Sequence, residues 1–340
     1  MTTGHSLPSW RLGVLVVNFP SMSLTTHTAA LTLEQAKKLR VLLENDGFEF
    51  VEKPYTLYAA SKGKLNVAVY EKGPKVVLQG KDTEEFLTFR LEPEILGEAK
   101  FGYEEELNPE MYAPHFGIDE SGKGDFFGPL VVAGAYVNRE LALAYKAVGI
   151  QDSKRITSDA SIRKLAKVIR ETPGAVFDVI LMTPQRYNEL YDKFDSLNRL
   201  LAWGHARVIE NLAEKQPDCP RSLSDQFADE KLIQRALLER GKKLQIDQRT
   251  KAEADIAVAA ASILARDAFI DWMDRAGKKL GLATLPRGAS AAVKALAEKL
   301  VVERGPEFLG LSAKTHFKTA FEIAPDTYRL RTKAYFRKKI

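Results

Sequence analysis

Residues 117–129 read GIDESGKGDFFGP, a stretch in which acidic residues and glycines are crowded together. Two adjacent carboxylates, Asp119 and Glu120, are unusual in a segment that only builds a fold, because the two charges repel each other. A hard divalent cation removes that repulsion and prefers carboxylate oxygen. Gly122 and Gly124 lack a Cβ atom, so the backbone there can approach a sugar–phosphate strand closely. The stretch therefore predicts a metal site joined to a substrate-binding turn.

Two other interpretations of the stretch compete with this one. Residues 117–123 fit the first part of a phosphate-binding loop, G-x-x-x-x-G-K, but Gly124 stands where Ser or Thr is needed to hold magnesium. In such a loop Asp119 and Glu120 would also repel the phosphates that the backbone N–H groups bind. An exposed acidic turn with flexible glycines is the remaining alternative.

The composition is that of an ordinary globular protein with 340 residues, of which 45% are hydrophobic and 28% charged. That length favours two domains. A single cysteine, Cys219, and five scattered histidines provide no ligand set for a zinc site, so a metal must be held by oxygen atoms. The formal net charge of +5 favours a polyanionic partner such as nucleic acid. No apolar run reaches the roughly 18 residues that a membrane span needs, and no signal peptide is evident, so a cytoplasmic protein is expected.

The N-terminal part of the chain predicts a small α+β unit after an arm at residues 1–20. Thr32, with Gln35 three residues on, predicts a capped helix that ends at Gly47. Three further runs predict an antiparallel meander, and they lie at 48–58, 64–70 and 75–78. A second helix is expected at 82–90, and the segment that follows, with an acidic cluster, is expected to be a linker.

After residue 113 the pattern becomes that of an α/β layer fold, with buried strands followed by long helices. The apolar runs suited to strands are 116–118, 129–137 and 175–181, and the helical stretches are 158–170, 196–215 and 254–278.

Residues 117–129 resemble the signature of the type 2 ribonuclease H family, and their Asp125-Phe126-Phe127 continuation is more similar to ribonuclease HIII than to HII. Further segments follow in the family's order: 152–154 (DSK), 187–190 (YNEL), 200–206 (LLAWGHA), 225–228 (DQFA), 251–253 (KAE), 257–266, 286–290 and 314–317. The resemblance covers nearly all of residues 116–317.

This resemblance implies a ribonuclease H-like catalytic domain at 114–326, in which a mixed sheet is flanked by helices. A small domain resembling the TATA-box-binding protein would precede it at 21–95, with a linker at 96–113, and a basic tail would follow at 327–340. The N-terminal strands carry lysines that would contact phosphate or form a solvated face, namely Lys53, Lys62, Lys64, Lys72 and Lys75.

The implied activity is endonucleolytic hydrolysis of the RNA strand of RNA–DNA hybrids by a monomer that uses two divalent cations, magnesium or, as a substitute, manganese. The implied catalytic and metal-binding residues are Asp119, Glu120, Asp225 and Glu253. Asp255 stays open as an alternative fourth carboxylate. If this segment already begins a helix, Glu253 and Asp255 point about 200° apart and cannot both face one site.

Recognition of RNA must use the 2′-OH, and the resemblance implies that Gly122, Lys123 and Gly124 read it. Ser153 and Lys154 are expected to position phosphate, with a purely structural turn as the alternative.

Tyr187, Trp203 and His205 stand at apolar positions of helical stretches, where packing in the core is expected. His316 either reaches the substrate or is a packed or surface histidine.

Two alternative functions remain open. One is a hybrid-binding module without catalysis, against which the presence of all four acids argues. The other is ribonuclease HII-like cutting at single embedded ribonucleotides. The extra N-terminal domain and the Lys251-Ala252-Glu253 motif favour HIII.

Overall fold

The computed structural model describes residues 24–97, 104–227 and 230–329. The expected arm and the basic tail beyond Arg329 lie outside these residues. The described residues form two five-stranded sheets, each with its own hydrophobic core. Among them no helix is long and apolar enough to span a membrane.

The first sheet is antiparallel throughout. Its strands are β1 (Thr26–Ala30), β2 (Glu49–Val51), β3 (Thr56–Lys62), β4 (Leu65–Tyr70) and β5 (Lys75–Gly80), in the order β1-β5-β4-β3-β2. The predicted meander is therefore only part of a larger sheet. The run 48–58 is two strands rather than one, because Pro54 has no N–H to give to a strand ladder. The edge strand β1 was not anticipated.

Two helical segments pack on this sheet. Helix α1 (Leu33–Asn45) begins as predicted, since Thr32 and Gln35 form a reciprocal capping box, with N···O distances of 2.8 and 3.1 Å. Helix α2 (Thr83–Phe86) continues as a π-helix from Leu87 to Leu96, so the second helix extends beyond its predicted end. The segment predicted to be a linker also contains two short helices, α3 (Glu104–Leu107) and α4 (Pro109–Tyr112).

The second sheet is mixed, as the resemblance implied. Its strands are β6 (His115–Ser121), β7 (Leu130–Val137), β8 (Phe177–Met182), β9 (Arg221–Asp225) and β10 (Gln245–Arg249), in the order β10-β9-β6-β7-β8. Strands β6, β7 and β8 pair antiparallel, whereas β9 and β10 run parallel to β6. The three predicted strands of this half are confirmed, and β9 and β10 are additional.

The helices of the second half are α5 (Arg139–Ala147), α6 (Asp159–Glu171), α7 (Pro184–Phe194), α8 (Leu197–Lys215), α9 (Glu230–Ala236), α10 (Ile256–Lys278), α11 (Ala291–Arg304), α12 (Glu307–Ser312) and α13 (Lys318–Ile323). The three predicted long helices correspond to α6, α8 and α10.

Helices α10 and α8 cover opposite faces of the second sheet. A Cβ atom on Gly117 would lie 2.1 Å from the backbone of Ala257, so only a glycine lets α10 approach β6 so closely. Its neighbour Ile118 points to the other face, where it packs near Val208 and Leu212 of α8. Successive residues of β6 therefore face different helices.

Candidate active site

Asp119 and Glu120 stand near the end of β6 and point to opposite faces of the sheet. Ser262 of α10 forms a hydrogen bond with the Asp119 carboxylate. On the other face, the Nε2 atom of His205 in α8 lies 3.2 Å from Oε2 of Glu120. The alternation of strand side chains thus gives the two neighbouring acids separate environments.

The environment of Asp119 disfavours its charge. Burial and the neighbouring Glu120 carboxylate both raise the pKa of Asp119, against the hydrogen bonds from the Glu120 N–H and Ser262. A further hydrogen bond of 2.6 Å joins Ser262 to Ser153, and both serines are buried. A cation beside Asp119 would favour its ionised form.

Glu120 is held ionised instead. Burial opposes its charge, but the hydrogen bond from His205 and the nearby Lys123 outweigh burial and lower the pKa of Glu120. Lys123 Nζ lies 3.3 Å from Oε1, so each carboxylate oxygen has its own donor. The ionised carboxylate accepts, which makes Nε2–H of His205 the donor.

Asp225 is brought next to Asp119 by strand pairing. Ser224 of β9 pairs with Ile118 of β6 in a parallel ladder, so the next residues of the two strands, Asp225 and Asp119, end up side by side. Neighbouring strands lie about 4.8 Å apart. Leu223, two residues before Asp225, packs against Val258 of α10, which places Asp225 on the α10 face as well.

Glu253 lies in a single 3₁₀ turn, Ala252–Ala254, immediately before α10. Its Oε2 atom is buried and has no hydrogen-bond partner. Asp255, by contrast, caps α10 by accepting from the N–H groups of Ala257 and Val258, and it also lies 2.9 Å from Nε2 of His115. The helix begins after both acids, and the contacts of Asp255 leave Glu253 as the carboxylate available to a cation.

Lys154 lies among the acids of the α10 face, in the 3₁₀ turn Ser153–Arg155. Burial lowers its pKa, but the negative charges around it prevail and raise the pKa above its ordinary value. Those charges belong to Asp119, Asp152, Glu253 and Asp225. Asp119, Asp225 and Glu253, three predicted site residues that are far apart in the chain, thus all interact electrostatically with the ammonium group of Lys154. Ser153 itself points inward to Ser262.

Among the described residues, no three or more His, Cys, Asp or Glu side chains are gathered closely enough to hold a metal ion by themselves. An open site still fits magnesium, which is commonly bound through one or two carboxylates and keeps several waters and substrate oxygens. Two observations fit a cation here: the partnerless Oε2 of Glu253 and the unfavourable burial of Asp119. The donors are all hard oxygen atoms.

The two glycines of the turn after β6 have different structural roles. Gly122 has a φ of +86°, and a Cβ atom there would lie 2.2 Å from the carbonyl oxygen of Pro129. A Cβ atom on Gly124 would meet nothing within 4 Å. Gly122 is therefore required by the fold, whereas Gly124 leaves open space above the backbone.

The competing interpretations of residues 117–129 are wrong. The phosphate-loop interpretation needs a loop that leads into a helix, but β6 extends to Ser121 and the chain then turns into β7. An exposed acidic turn is excluded because Asp119 is 8% exposed.

The sequence did not indicate the roles of His205 and Ser262. His205 is buried as predicted, yet it also binds Glu120, and only the packing of α8 on β6 reveals this. Tyr187 is buried as expected, and Trp203 packs partly buried against the core. His316 is packed rather than free, with its ring 4.4 Å from that of Tyr191 in a stacked arrangement.

Comparison with known proteins agrees with this geometry. A family model described as ribonuclease HII matches residues 116–320. Ribonuclease HIII of Protochlamydia amoebophila is 42% identical over 87% of this chain and 96% of its own length. The corresponding Chlamydia caviae protein is 45% identical over 84% and 93%, respectively. The crystal structure of Bst-RNase HIII in complex with Mn2+ shares 26% identity at a TM-score of 0.60 and covers 89% of this chain and 99% of that one.

The mixed sheet, the acids at its strand ends and the family model together define a type 2 ribonuclease H. The relatives match 84–87% of the chain, so the similarity extends beyond residues 116–320. The chain belongs to the ribonuclease HIII family.

Proposed function

We propose that this chain is an endonuclease that hydrolyses the RNA strand of RNA–DNA hybrids, with divalent cations held by Asp119, Glu120, Asp225 and Glu253. Family membership supports the reaction. The observation that carries the residue assignment is the buried, partnerless Oε2 of Glu253, because a buried carboxylate oxygen without a donor is costly unless a cation binds it.

Each acid has a distinct way of reaching the ions. Asp119 and Asp225 bind from neighbouring strands, and Ser262 orients the Asp119 carboxylate. Glu253 would bind from the turn before α10. Glu120 lies on the α8 side, where His205 and Lys123 hold its oxygens, so it would reach the ions only around the end of β6.

Magnesium is the proposed ion and manganese its substitute, and the Mn2+ complex of Bst-RNase HIII supports a divalent metal. When bound, the cations supply Lewis-acid stabilisation of the negative charge on the phosphate.

The substrate contacts follow the turn after β6. Gly124 leaves room for a ribose and its 2′-OH close to the backbone, and Lys123 stands beside it. Lys154 interacts electrostatically with Asp119, Asp225 and Glu253, so in this proposal it partly neutralises them in the free protein and contacts a phosphate in the complex.

The N-terminal domain adds affinity for the hybrid in this proposal. Of its five candidate lysines, Lys62 donates to the carbonyl of Asp46 at 2.6 Å, which ties it to the domain itself. Lys53 lies 5.7 Å from the centre of the Tyr70 ring, which leaves its charge at the sheet surface.

The test is cleavage of a hybrid that contains a run of ribonucleotides, in magnesium, by the wild type and Asp225→Asn. The variant should lose cutting while hybrid binding survives, because the amide keeps the shape but not the charge. The matched control is Asp218→Asn, an exposed aspartate before the opposite end of β9, which should cut normally. Full activity of Asp225→Asn would refute the mechanism. Efficient cutting at a single embedded ribonucleotide would instead indicate HII-like specificity.

A further inference from the structure

A groove of about 380 Å³ lies beside Glu253, between α4, the end of α5 and the turn before α10. Its lining includes three exposed cationic side chains, those of Lys146, Arg155 and Lys251. It also includes two acids, Glu253 and Asp152. Asp152 is buried and accepts a hydrogen bond from the backbone N–H of Lys154, so its charge is partly used inside the protein.

Two of the three cations have no counter-ion. Within the described ranges, neither Arg155 nor Lys251 forms an ion pair or a side-chain hydrogen bond, whereas surface arginines nearby are paired. Arg249 binds Glu110 at 2.6 Å, and Arg287 binds Asp159. Arg155 and Lys251 are therefore available to an anion that enters the groove.

The backbone of Lys251 is in a conformation that lysine rarely adopts. Its φ and ψ are 61° and 35°, in the left-handed region. Among the described non-glycine residues, only Tyr55 and Asp195 share a positive φ. Asp195 ends α7, where aspartate tolerates this geometry. A glycine at position 251 would relieve the strain, so the backbone alone gives no reason for a lysine here.

We propose that Lys251, with Arg155 beside it, binds a backbone phosphate of the hybrid in the groove next to Glu253. This inference rests on the proposed function and extends its substrate contacts to a second side of the acid cluster. A phosphodiester fits because it is the anion that a nuclease substrate presents at regular spacing, and both cations are free to pair with its oxygens.

Lys251→Gly is the sharpest test, since it removes the cation and the backbone strain together. Its melting temperature should equal or exceed that of the wild type. Affinity for an RNA–DNA hybrid of defined length, measured in EDTA so that no cutting occurs, should fall several-fold at low salt. The slope of log K against log salt should become shallower by about 0.9, the value for one lost phosphate contact. Lys251→Asn, which is also neutral and tolerates this backbone, should give the same change in slope.

The matched control is Lys242→Gly, which removes an exposed lysine from another 3₁₀ turn outside the groove and should leave the slope unchanged. A wild-type slope in Lys251→Gly or Lys251→Asn, with the wild type binding and cutting hybrids normally, would overturn this inference alone. A wild type that neither bound nor cut hybrids would overturn the proposed function and the phosphate contact with it.

Discussion

Asp119 and Glu120 show how strongly the pKa of a carboxyl group can differ between two neighbouring positions of one strand. The two residues are adjacent, yet burial raises the pKa of one, and donated hydrogen bonds lower the pKa of the other. His205 and Lys123 lower the pKa of Glu120 on the α8 side, whereas on the α10 side Ser262 offsets only part of the effect of burial on Asp119. A pair of acids that repel each other in an extended peptide is thus divided between two helices, and a cation is needed mainly on the α10 side.

The two glycines of the turn after β6 predict opposite phenotypes when each is replaced by alanine. Gly122→Ala should destabilise the protein by at least about 2 kcal/mol, because its φ is positive and the new methyl group would strike the Pro129 carbonyl. Gly124→Ala should change the free energy of unfolding by less than about 0.5 kcal/mol but weaken hybrid binding. Denaturant unfolding and hybrid titration measure the two effects. Unchanged hybrid affinity in Gly124→Ala would contradict the close approach of substrate to this turn.

At the scale of elements, two carboxylates stand just before α10: Asp255, which caps the helix, and Glu253, the proposed metal ligand. Asp255→Ala should cost about 2–4 kcal/mol, because it removes the helix cap and leaves Nε2 of buried His115 without its partner. Asp255→Asn, which can still cap, should retain most of the stability and most of the cutting. Glu253→Gln should fold normally and lose cutting. Thermal unfolding and hybrid cleavage distinguish the three variants.

Ser290→Ala provides the control for the cap, since Ser290 caps α11 at an exposed position and should cost only about 0.5–1 kcal/mol. Loss of cutting in a stable Asp255→Asn protein would make Asp255, rather than Glu253, the fourth metal ligand.

The loop between β6 and β7 is held by Lys314, whose Nζ atom donates to the carbonyls of Asp125 and Gly128 at 2.8 and 2.7 Å. Burial lowers the pKa of Lys314 to about 7, from 10.5 in the unfolded chain. Between these values the unfolded chain binds more protons, so stability should rise with pH, by on the order of 1 kcal/mol per pH unit. Denaturant unfolding from pH 7 to 9 measures the free energy of unfolding of the wild type and of Lys314→Met. If the difference between these two free energies did not change with pH, the lowered pKa would be contradicted.

The sequence predicted the elements that have a strong apolar pattern. It did not predict strands that form only because they pair with a neighbouring strand. Strand β7 is buried throughout and is predicted from its apolar run, whereas β9 (RSLSD) and β10 (QIDQR) each contain a single apolar residue. They are strands because they pair beside β6. For the same reason, Asp225 could be assigned only through family resemblance. His205 and Ser262 were missed because their helical pattern shows burial but not which carboxylate each one meets.

At the scale of the whole molecule, the two sheets have separate cores. Leu39, Leu43 and Leu78 belong to the first core, and Ile118 and Val132 to the second. Removal of residues 1–97 should therefore leave the second sheet folded and able to cut, but with weaker hybrid affinity. Cleavage rates at low and saturating hybrid concentration measure this as a raised KM with a similar kcat. An unchanged KM would show that the N-terminal domain does not hold the substrate.

Gly117 has no side chain that could take part in the reaction, yet it sets the distance between β6 and α10 on which the proposed site depends. Its missing side chain lets α10 lie directly against β6, and α10 carries Ser262 and follows Glu253 in the chain. A single methyl group at 117 would act as a wedge between the two layers and move these groups away from Asp119. Catalysis would then be lost by a spacing error, with every reactive atom still present.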